Sequence, residues 1–246
     1  MTDLHLEAVS KRFGETLALR DIDLTLRSGR ITALVGRSGC GKSTLLKLLN
    51  GLLRPTTGMV KFGSSPLDYQ ALTALRRRIG YAVQGTGLFP HLNAGDNICL
   101  VAKLEGWSTA AIDRRLGQLL ALTRLSPELL DHYPHQLSGG QAQRVGLCRA
   151  IMLRPEVVLL DEPFAAIDPL TRRDIHRQLL ELHRAEPVTT VLVTHDMAEA
   201  LLLADEIVII EGGRVISSHA RQSLLAASGD GDPNELLLEL MAGSPP

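Results

Sequence analysis

The sequence predicts an α/β protein with a parallel sheet, an antiparallel β subdomain near the N-terminus and an inserted α-helical subdomain. The first observation is an apolar run at 31–35 that is followed by glycines and then by an amphipathic segment. The second is that apolar runs at 157–162 and 189–194 repeat this form and end in polar residues. Such runs are typical of strands buried in a parallel sheet. The third is that apolar residues from 90 to 152 recur at helical spacing.

The segment that joins the first strand to its helix has the spacing G-x-x-x-x-G-K-S, from Gly36 to Ser43. Glycines let the backbone adopt positive φ and close around an anion, to which the helix N-terminus offers N–H groups. In such a phosphate-binding loop (P-loop), Lys42 would reach the β- and γ-phosphates and Ser43 would ligate Mg²⁺. The residues expected at the nucleotide are Gly36, Arg37, Ser38, Gly39, Cys40, Gly41, Lys42, Ser43 and Thr44. The complete motif between strand and helix argues against a chance glycine-rich turn.

An aromatic residue lies upstream of the P-loop, in a predicted turn at 11–14. The segments on either side, 4–9 and 19–26, alternate apolar and polar residues as half-buried strands do. Phe13 could stack on a nucleobase, because every base has a flat π-face, or it could fill the core at the end of a strand. The residues alone leave both readings open.

The two later apolar runs end in residues that could act on the same nucleotide. Asp161 is predicted to hold Mg²⁺ through a water, and Glu162 to polarise the attacking water. A helix cap or a turn is the alternative for this pair. His195 could contact the γ-phosphate or merely end its strand. Because ligands of open parallel sheets bind at the carboxyl ends of the strands, these residues are expected to converge with the P-loop.

The segment at 137–141 reads Leu-Ser-Gly-Gly-Gln and opens a predicted helix. Its serine and glycines would make a second helix N-terminus suited to an anion. One triphosphate needs two such sites only if they lie on opposite sides of it. The sequence therefore predicts a head-to-tail pair of chains with the nucleotide between them.

Composition narrows the possible functions of the 246 residues. A net charge of −1 gives no reason to expect nucleic-acid binding. The three cysteines, Cys40, Cys99 and Cys148, are too scattered for a disulfide framework or a metal site, and they indicate a reducing cytoplasm. The N-terminus has no apolar signal segment, and no run approaches the ~18 apolar residues that cross a bilayer. Work at a membrane would require docking onto a subunit that spans it.

The order of these motifs, together with Gln84 and Asp168, resembles the nucleotide-binding subunit of ATP-binding cassette (ABC) transporters. The resemblance spans about residues 3–220 and implies a P-loop NTPase core of the RecA-like type. It divides the chain into an ATPase core at 1–89 and 152–220, a helical subdomain with the signature motif at 90–151, and a short C-terminal tail at 221–246.

The resemblance also implies roles for single residues. Gln84 would sense the γ-phosphate, couple to the membrane subunit, and join Ser43 and Asp161 around Mg²⁺. Phe13 stands where the family has its adenine-stacking aromatic residue, and Asp168 would cross the dimer interface. The signature residues that would clamp the partner's γ-phosphate are Ser138, Gly139, Gly140 and Gln141. The expected catalytic residues are Glu162, His195, Lys42 and Gln84.

One departure from the family is visible before Asp168. Where relatives usually read Gly-Ala-Leu-Asp, residues 165–168 read Ala-Ala-Ile-Asp. The replacements are small and apolar, so altered packing with retained activity is expected. The chain is therefore expected to be an active ATPase that uses ATP and Mg²⁺.

A narrower resemblance rests on residues 80–91 and 133–146, with support from 161–164 and 168–172. These segments are similar to those of importers of osmoprotectants and quaternary amines such as glycine betaine and choline. The chain would power uptake as a peripheral subunit on the cytoplasmic face of the bacterial inner membrane. The implied partners are a second copy, an integral membrane permease and, indirectly, a periplasmic or lipid-anchored substrate-binding protein. Relatives often carry a C-terminal regulatory module, which is expected to be absent here or to lie elsewhere.

Alternative functions remain open from the sequence. An ABC ATPase for export or lipid traffic would show the same motifs. A non-transport ABC protein acting on DNA or ribosomes usually needs a coiled-coil insertion, a zinc module or a second cassette, none of which is visible. A nucleotide kinase would leave residues 137–141 without a role. The apolar pair Leu88-Phe89 would dock a membrane partner or, alternatively, pack against its own core.

Overall fold

A computed structural model of the chain describes residues 2–164, 167–228 and 232–242. It contains two compact units, Met1–Arg76 with Val188–Pro246 and Arg77–Pro187. In chain order the elements are β1 (Leu4–Phe13), β2 (Thr16–Leu26), β3 (Ile31–Val35), α1 (Lys42–Leu49), β4 (Thr57–Phe62), β5 (Ser65–Pro66), α2 (Leu72–Arg77), β6 (Ile79–Ala82), α3 (Ala94–Leu104), α4 (Thr109–Thr123), α5 (Gly139–Ile151), β7 (Val157–Asp161), α6 (Pro169–Ala185), β8 (Thr189–Val193), α7 (Met197–Leu203), β9 (Glu206–Glu211), β10 (Arg214–Ala220), α8 (Arg221–Ser228) and α9 (Pro233–Ala242).

The first unit contains the predicted antiparallel strands, as a sheet in the order β2-β1-β4-β5. Leu4 pairs with Leu26 and Leu6 with Leu24, which buries the apolar face of the alternating pattern. The turn predicted at 11–14 is shorter than expected, because β1 continues to Phe13 and pairs it with Thr16. Residues 11–13 do not show a strand in their sequence pattern because their side chains stay outside the core.

The second sheet of this unit places β3 between β8 and β9, in parallel with both, and β10 runs antiparallel to β9. Every residue of β3 and β8 is buried, which explains why their sequences contain only apolar residues and threonine. Leu34 pairs with Val193, so β3 and β8 end at the same edge. The residues that follow both strands are therefore neighbours.

In the second unit β6 and β7 form a parallel pair, from Ile79 opposite Val157 to Ala82 opposite Leu160. Helix α5 packs against β6. At the contact a Cβ on Gly80 would overlap the carbonyl oxygen of Ala150. The glycine is needed here because nothing larger allows the helix backbone to approach the strand.

Residues 90–151, all of which the structure describes, contain α3, α4 and α5 and no strand. The helical character predicted for this segment is present, while the limits drawn for it as a subdomain stay a prediction. In α4 the apolar positions Ile112, Leu119 and Leu120 are buried as their spacing indicates. Leu116 is only half-buried, and Arg115 takes a core position in its place.

The buried Arg115 joins three parts of the second unit. Its guanidinium donates to both carboxylate oxygens of Glu186, at 2.7 and 3.0 Å, and to the carbonyl oxygen of Ile151 at 2.9 Å. This hydrogen bond, and then the charge of the guanidinium, hold the pKa of Glu186 below its ordinary value against the opposing effect of partial burial. The end of α6 is thereby fixed to α4 and to the end of α5.

The remaining helices are short. Helix α2 spans only Leu72–Arg77, and α9 spans Pro233–Ala242. Helix α8 was not predicted, because only Leu224 of this helix is buried and its sequence has no long apolar stripe. Within the described ranges, no helix has both the length and the hydrophobicity that crossing a bilayer would require.

The ion pair between Arg115 and Glu186 predicts a pH-dependent contribution to stability. Glu186→Gln should lower the free energy of unfolding at pH 7 by about 2 kcal/mol, because a charge-assisted hydrogen-bonded pair is lost. The folded-state pKa of Glu186 lies below its ordinary value of 4.5, so this contribution is complete above pH 4.5 and is lost as the pH falls through the folded-state pKa. Urea unfolding followed by circular dichroism between pH 7 and pH 3 measures both effects.

Glu181→Gln is the matched control, since Arg124 and Glu181 also join α4 to α6, at 3.5 Å and on the surface. An exposed pair of this kind should change stability by less than about 0.5 kcal/mol. Equal losses in the two variants at pH 7, or a Glu186→Gln loss that is as large at pH 3 as at pH 7, would contradict the assignment.

Candidate functional site

The P-loop of the first unit is shaped by close packing at two of its glycines. A Cβ on Gly36 would overlap the carbonyl oxygen of Ile210 in β9. Gly41 has φ +109°, and a Cβ there would lie 2.6 Å from Leu19 Cδ2 and 2.8 Å from the carbonyl oxygen of Ala18 in β2. The loop can therefore follow this course only with glycine at both positions, as the motif requires.

Lys42 lies inside the loop and is only 5% exposed. Its Nζ donates to the carbonyl oxygens of Gly36 at 2.7 Å and Arg37 at 3.0 Å, and to Cys40 Sγ at 3.6 Å. Carbonyl groups offset the cost of burying the ammonium. The positive charge is thus held at the centre of the loop, where an anion would bind.

The remaining P-loop residues divide between the surface and the core. Arg37, Ser38 and Gly39 are exposed, and Cys40 is buried. Helix α1 begins at Lys42 with no side-chain cap and no acidic residue in its first turn. Its N–H groups and the positive end of its dipole therefore remain suited to an anion.

Phe13 lies at the end of β1 and is 45% exposed. The structure excludes the alternative in which this ring fills the core. Lys11 lies over the ring, with Nζ 5.0 Å from the ring centroid, and donates to the carbonyl oxygen of Arg54 at 2.9 Å. The sequence did not identify Lys11, although the i, i+2 spacing on one strand face was available as a signal.

His195 is exposed and follows β8 at the edge where the P-loop follows β3. The next residue, Asp196, caps α7 by accepting a hydrogen bond from the backbone N–H of Glu199 at 3.1 Å. The first unit therefore brings His195 and the P-loop to the same edge of its sheet, as expected for strands in parallel register.

In the second unit, Gln84 follows β6 and Glu162 follows β7. The parallel register brings the two side chains together, and Gln84 Nε2 donates to Glu162 Oε2 at 3.4 Å. Glu162 has φ +46°, a left-handed conformation that is uncommon outside glycine. The backbone turns sharply here, directly after the strand, and leaves the carboxylate half-exposed.

Asp161 is the last residue of β7 and is 4% exposed. The Tyr81 hydroxyl donates a hydrogen bond to its carboxylate. Burial, and then the charge and hydrogen bond of Asp161, raise the pKa of Tyr81 to about 12, so the hydroxyl keeps its proton. Tyr81 was not recognisable from the sequence as a functional residue. It pairs with Leu159, two residues before Asp161, and that register appears only once the strand pairing is known.

The signature segment begins α5 with a reciprocal cap. Ser138 Oγ accepts from the N–H of Gln141 at 3.3 Å, and Gln141 Oε1 accepts from the N–H of Ser138 at 2.8 Å. The side chain of Gln141 is therefore engaged within its own chain. Ser138 and Gly139 are exposed at the start of the helix.

Thr171 contacts both Gly140 and Asp168. A Cβ on Gly140 would overlap Thr171 Cγ2. Asp168 is exposed and caps α6 by accepting from the N–H of Thr171 at 3.0 Å, which lowers the pKa of the Asp168 carboxyl. The departure predicted to change packing before Asp168 includes Ala165 and Ala166, which lie outside the described residues.

The residues proposed for Mg²⁺ supply suitable ligand chemistry. A hydroxyl (Ser43), an amide oxygen (Gln84) and a carboxylate (Asp161) are the hard oxygen ligands that Mg²⁺ prefers. Within the described part of the chain there is no group of three or more His, Cys, Asp or Glu that could hold a metal. Mg²⁺ commonly takes one or two carboxylates together with substrate phosphates.

Comparison with known sequences gives a consistent family. The ABC transporter family model matches residues 19–165. The chain is 46% identical over 85% of its length to the glycine betaine uptake system ATP-binding protein YehX of Escherichia coli, and covers 68% of that protein. It is 44% identical over 87% of its length to the glycine betaine/carnitine/choline transport ATP-binding protein OpuCA of Bacillus subtilis, of which it spans just over half, 56%.

Solved structures confirm the predicted fold class. The dimeric cassette MJ0796, in a post-hydrolysis state with ADP and phosphate, superposes with a TM-score of 0.81 at 32% identity, over 89% of this chain and 98% of that one. CbiO1 of Clostridium perfringens, part of the transporter complex CbiONQ, gives a TM-score of 0.83 at 30% identity, over 91% of this chain and 90% of that one.

The contact at Gly140 predicts a compensating pair of substitutions. Gly140→Ala should lower the free energy of unfolding by about 2 kcal/mol, because the new methyl group overlaps Thr171 Cγ2. Thr171→Ser removes that methyl group and should cost about 1 kcal/mol by itself. The double variant should be more stable than the sum of the two losses by about 1 kcal/mol or more, as measured by urea unfolding. Strictly additive losses would show that the overlap does not limit this position.

Proposed function

Because the chain belongs to the ABC transporter family, we propose that it is the ATP-hydrolysing subunit of an importer for a small solute of the osmoprotectant or quaternary-amine class. The observation that supports ATPase activity is the position of Glu162. This residue has a left-handed backbone conformation directly after β7, and its carboxylate accepts a hydrogen bond from Gln84. The subunit would work peripherally, at the cytoplasmic face of a bacterial inner membrane. We propose no nucleic-acid partner for this chain.

The first unit supplies the groups that bind ATP. The P-loop surrounds the β- and γ-phosphates with its backbone and the first turn of α1, and Lys42 supplies the positive charge. Ser43 is the hydroxyl ligand of Mg²⁺. Phe13 is the platform for adenine, which its exposure at the end of β1 supports.

Hydrolysis would be catalysed by two side chains of the second unit, the Glu162 carboxylate and the Gln84 amide. Glu162 accepts a proton from the attacking water, and Gln84 orients Glu162 and senses the γ-phosphate. Asp161 would hold Mg²⁺ through a water, and it is oriented by the hydrogen bond from the Tyr81 hydroxyl. Mg²⁺, when bound, neutralises negative charge on the β- and γ-phosphates. His195 would contact the γ-phosphate from its place beside the P-loop edge.

A second copy of the chain would complete each site. Ser138, Gly139 and Gly140 of one copy would approach the γ-phosphate held by the other, and Asp168 would cross between the copies. Exposure of Ser138 and Gly139 at the start of α5 supports this role. The similar cassette MJ0796 is described as dimeric. Gln141 would contribute by fixing the cap that shapes the helix N-terminus.

Transport requires a membrane permease, and residues 85–91 would form part of the surface that contacts it. Phe89 in this loop is 43% exposed, while Leu88 is half-buried, so the apolar surface is smaller than the sequence suggested. ATP-driven closure and reopening of the dimer would move the permease between inward and outward access. A periplasmic or lipid-anchored binding protein would deliver the solute.

The solute class rests on the relatives, because an ATPase subunit need not contact the cargo. Several similar proteins are named for uptake of glycine betaine, carnitine, choline or osmoprotectants. A sulfate/thiosulfate import protein of Thermosynechococcus vestitus is also 44% identical, over 85% of this chain and 62% of its own. These names favour import over export or lipid traffic, and the higher identity to YehX favours quaternary amines.

Replacement of Glu162 tests the proposed hydrolysis. Glu162→Gln keeps an oxygen acceptor for Gln84 but removes the base, so kcat for ATP should fall at least about 100-fold. ATP-bound dimer should then accumulate, as measured by size-exclusion chromatography with light scattering. Glu156→Gln is the control, since this exposed carboxylate lies just before β7 and pairs with Arg78. Retained ATPase activity in Glu162→Gln would remove Glu162 from this role.

Replacement of the loop's apolar pair tests permease docking. Leu88→Ser with Phe89→Ser should reduce solute uptake in proteoliposomes that contain the permease, because apolar contact area is lost. ATP hydrolysis by the isolated subunit should continue. Leu104→Ser provides the comparison, since this residue is 75% exposed at the end of α3. Uptake that stays unchanged in the double variant would count against docking through this loop.

A further inference from the structure

We propose that Arg149 is a positioning residue that fastens the 85–91 loop to helix α5 and thereby sets how tightly ATP hydrolysis is coupled to transport. This inference rests on the proposed function, because coupling has a meaning only in a transporter. It concerns a residue for which the motifs of the sequence gave no role. All the contacts of Arg149 described below lie within the second unit.

The guanidinium of Arg149 binds the backbone of the loop directly. It donates to the carbonyl oxygen of Gly87 at 2.9 Å and to that of Thr86 at 3.4 Å. It also lies over the ring of Phe89, with Cζ 5.6 Å from the ring centroid. One side chain of α5 thus contacts three residues of the loop, including the exposed aromatic residue proposed to meet the permease.

Asn97 of α3 also binds this loop and is fully buried. Its Oδ1 accepts from the N–H of Phe89 at 2.8 Å, and its Nδ2 donates to the carbonyl oxygens of Phe89 at 3.1 Å and Leu92 at 3.0 Å. Arg149 also donates to Asn97 Oδ1, at 3.4 Å. The two side chains and the loop backbone therefore form one connected hydrogen-bond network.

Glycines bring the loop close enough to α5 for this network to form. A Cβ on Gly146, one turn before Arg149, would lie 3.3 Å from the carbonyl oxygen of Thr86. Gly87 has φ +54°, and a Cβ there would overlap Val83 Cγ2. Together with the contact between Gly80 and Ala150, these positions press β6 and the loop against the C-terminal half of α5.

Helix α5 therefore joins two functional segments: the signature segment at its start and the 85–91 loop near its end. Ser138 caps its N-terminus, and Arg149 lies 11 residues further along, about 16 Å at 1.5 Å per residue. A helix of this length moves as a rigid element. A movement of the signature segment on ATP binding would thus be carried to Phe89 through Arg149, and to the loop that begins after Gln84.

The chemistry of arginine suits this position better than that of lysine. The guanidinium presents several N–H groups in one plane and can donate to Gly87, Thr86 and Asn97 together, whereas one ammonium cannot match that geometry. Burial lowers the pKa of Arg149 from its ordinary value, which reflects the cost of desolvating the charge. The site retains a charged residue despite this cost.

The first experiment uses the isolated chain and does not depend on transport. In Arg149→Gln, hydrogen–deuterium exchange should accelerate about 10-fold or more at residues 86–89, since the bonds that order the loop are lost. Exchange in β7 should stay as in the wild type. Arg149→Lys should give an intermediate rate in the loop. Arg154→Gln is the matched control, because Arg154 lies just beyond α5 and pairs with Gln118 on the surface.

The second experiment measures coupling in proteoliposomes with the permease. Arg149→Gln should lower the ratio of solute transported to ATP hydrolysed at least about 5-fold, with Arg149→Lys between it and the wild type. Arg154→Gln should keep the wild-type ratio. A structural defect alone would lower the melting temperature and both rates together, without changing the ratio.

The outcomes separate this inference from the proposed function. Unchanged exchange at 86–89 in Arg149→Gln, or an unchanged transport-to-ATP ratio, would overturn the role of Arg149. If Arg149→Gln does not fold, the same two readouts on Arg149→Lys decide in the same way. A wild-type chain that neither hydrolyses ATP nor supports uptake would instead overturn the proposed function, while the exchange result would still report on the loop.

Discussion

Complete burial of the central strands is the constraint on which the arrangement of this protein depends. Every residue of β3, β7 and β8 is buried, so these strands have no room for exposed polar side chains. Functional groups can appear only where a strand ends, and there they do appear. In the first unit the P-loop and His195 follow neighbouring strands, and in the second unit Gln84 and Glu162 do. Parallel register then determines which groups meet.

The second constraint is the close approach of neighbouring segments to the backbone at several glycines. Gly36 and Gly41 let β2 and β9 pack against the P-loop, and Gly140 lets the start of α6 pack against the signature segment. A methyl group at any of these positions would meet a backbone oxygen or a neighbouring side chain. The glycines therefore serve both the shape of the anion sites and the packing that holds those sites in place, which a flexible loop would not achieve.

Buried and half-buried polar side chains determine which distant segments of the second unit contact one another. Arg115 is bound to Glu186, Asn97 to the loop backbone, and Tyr81 to Asp161. Each satisfies hydrogen-bonding groups that burial would otherwise leave at a cost. Their sequence positions gave little sign of this. A polar residue in a helical pattern normally indicates a solvent-exposed face, and only the partner, which is 71 residues away for Arg115, explains why it is inside.

The sequence by itself determined the fold class, the family, the P-loop between strand and helix, and most strands, because these depend on spacing and periodicity over a few residues. It did not determine the extension of β1 to Phe13, the partial burial of Leu88, or the network of Arg149 and Asn97. Those features depend on contacts between segments far apart in the chain, such as Thr86 with α5 and Gln84 with Glu162. Local pattern limits which elements form, whereas packing of distant elements decides which side chains face one another.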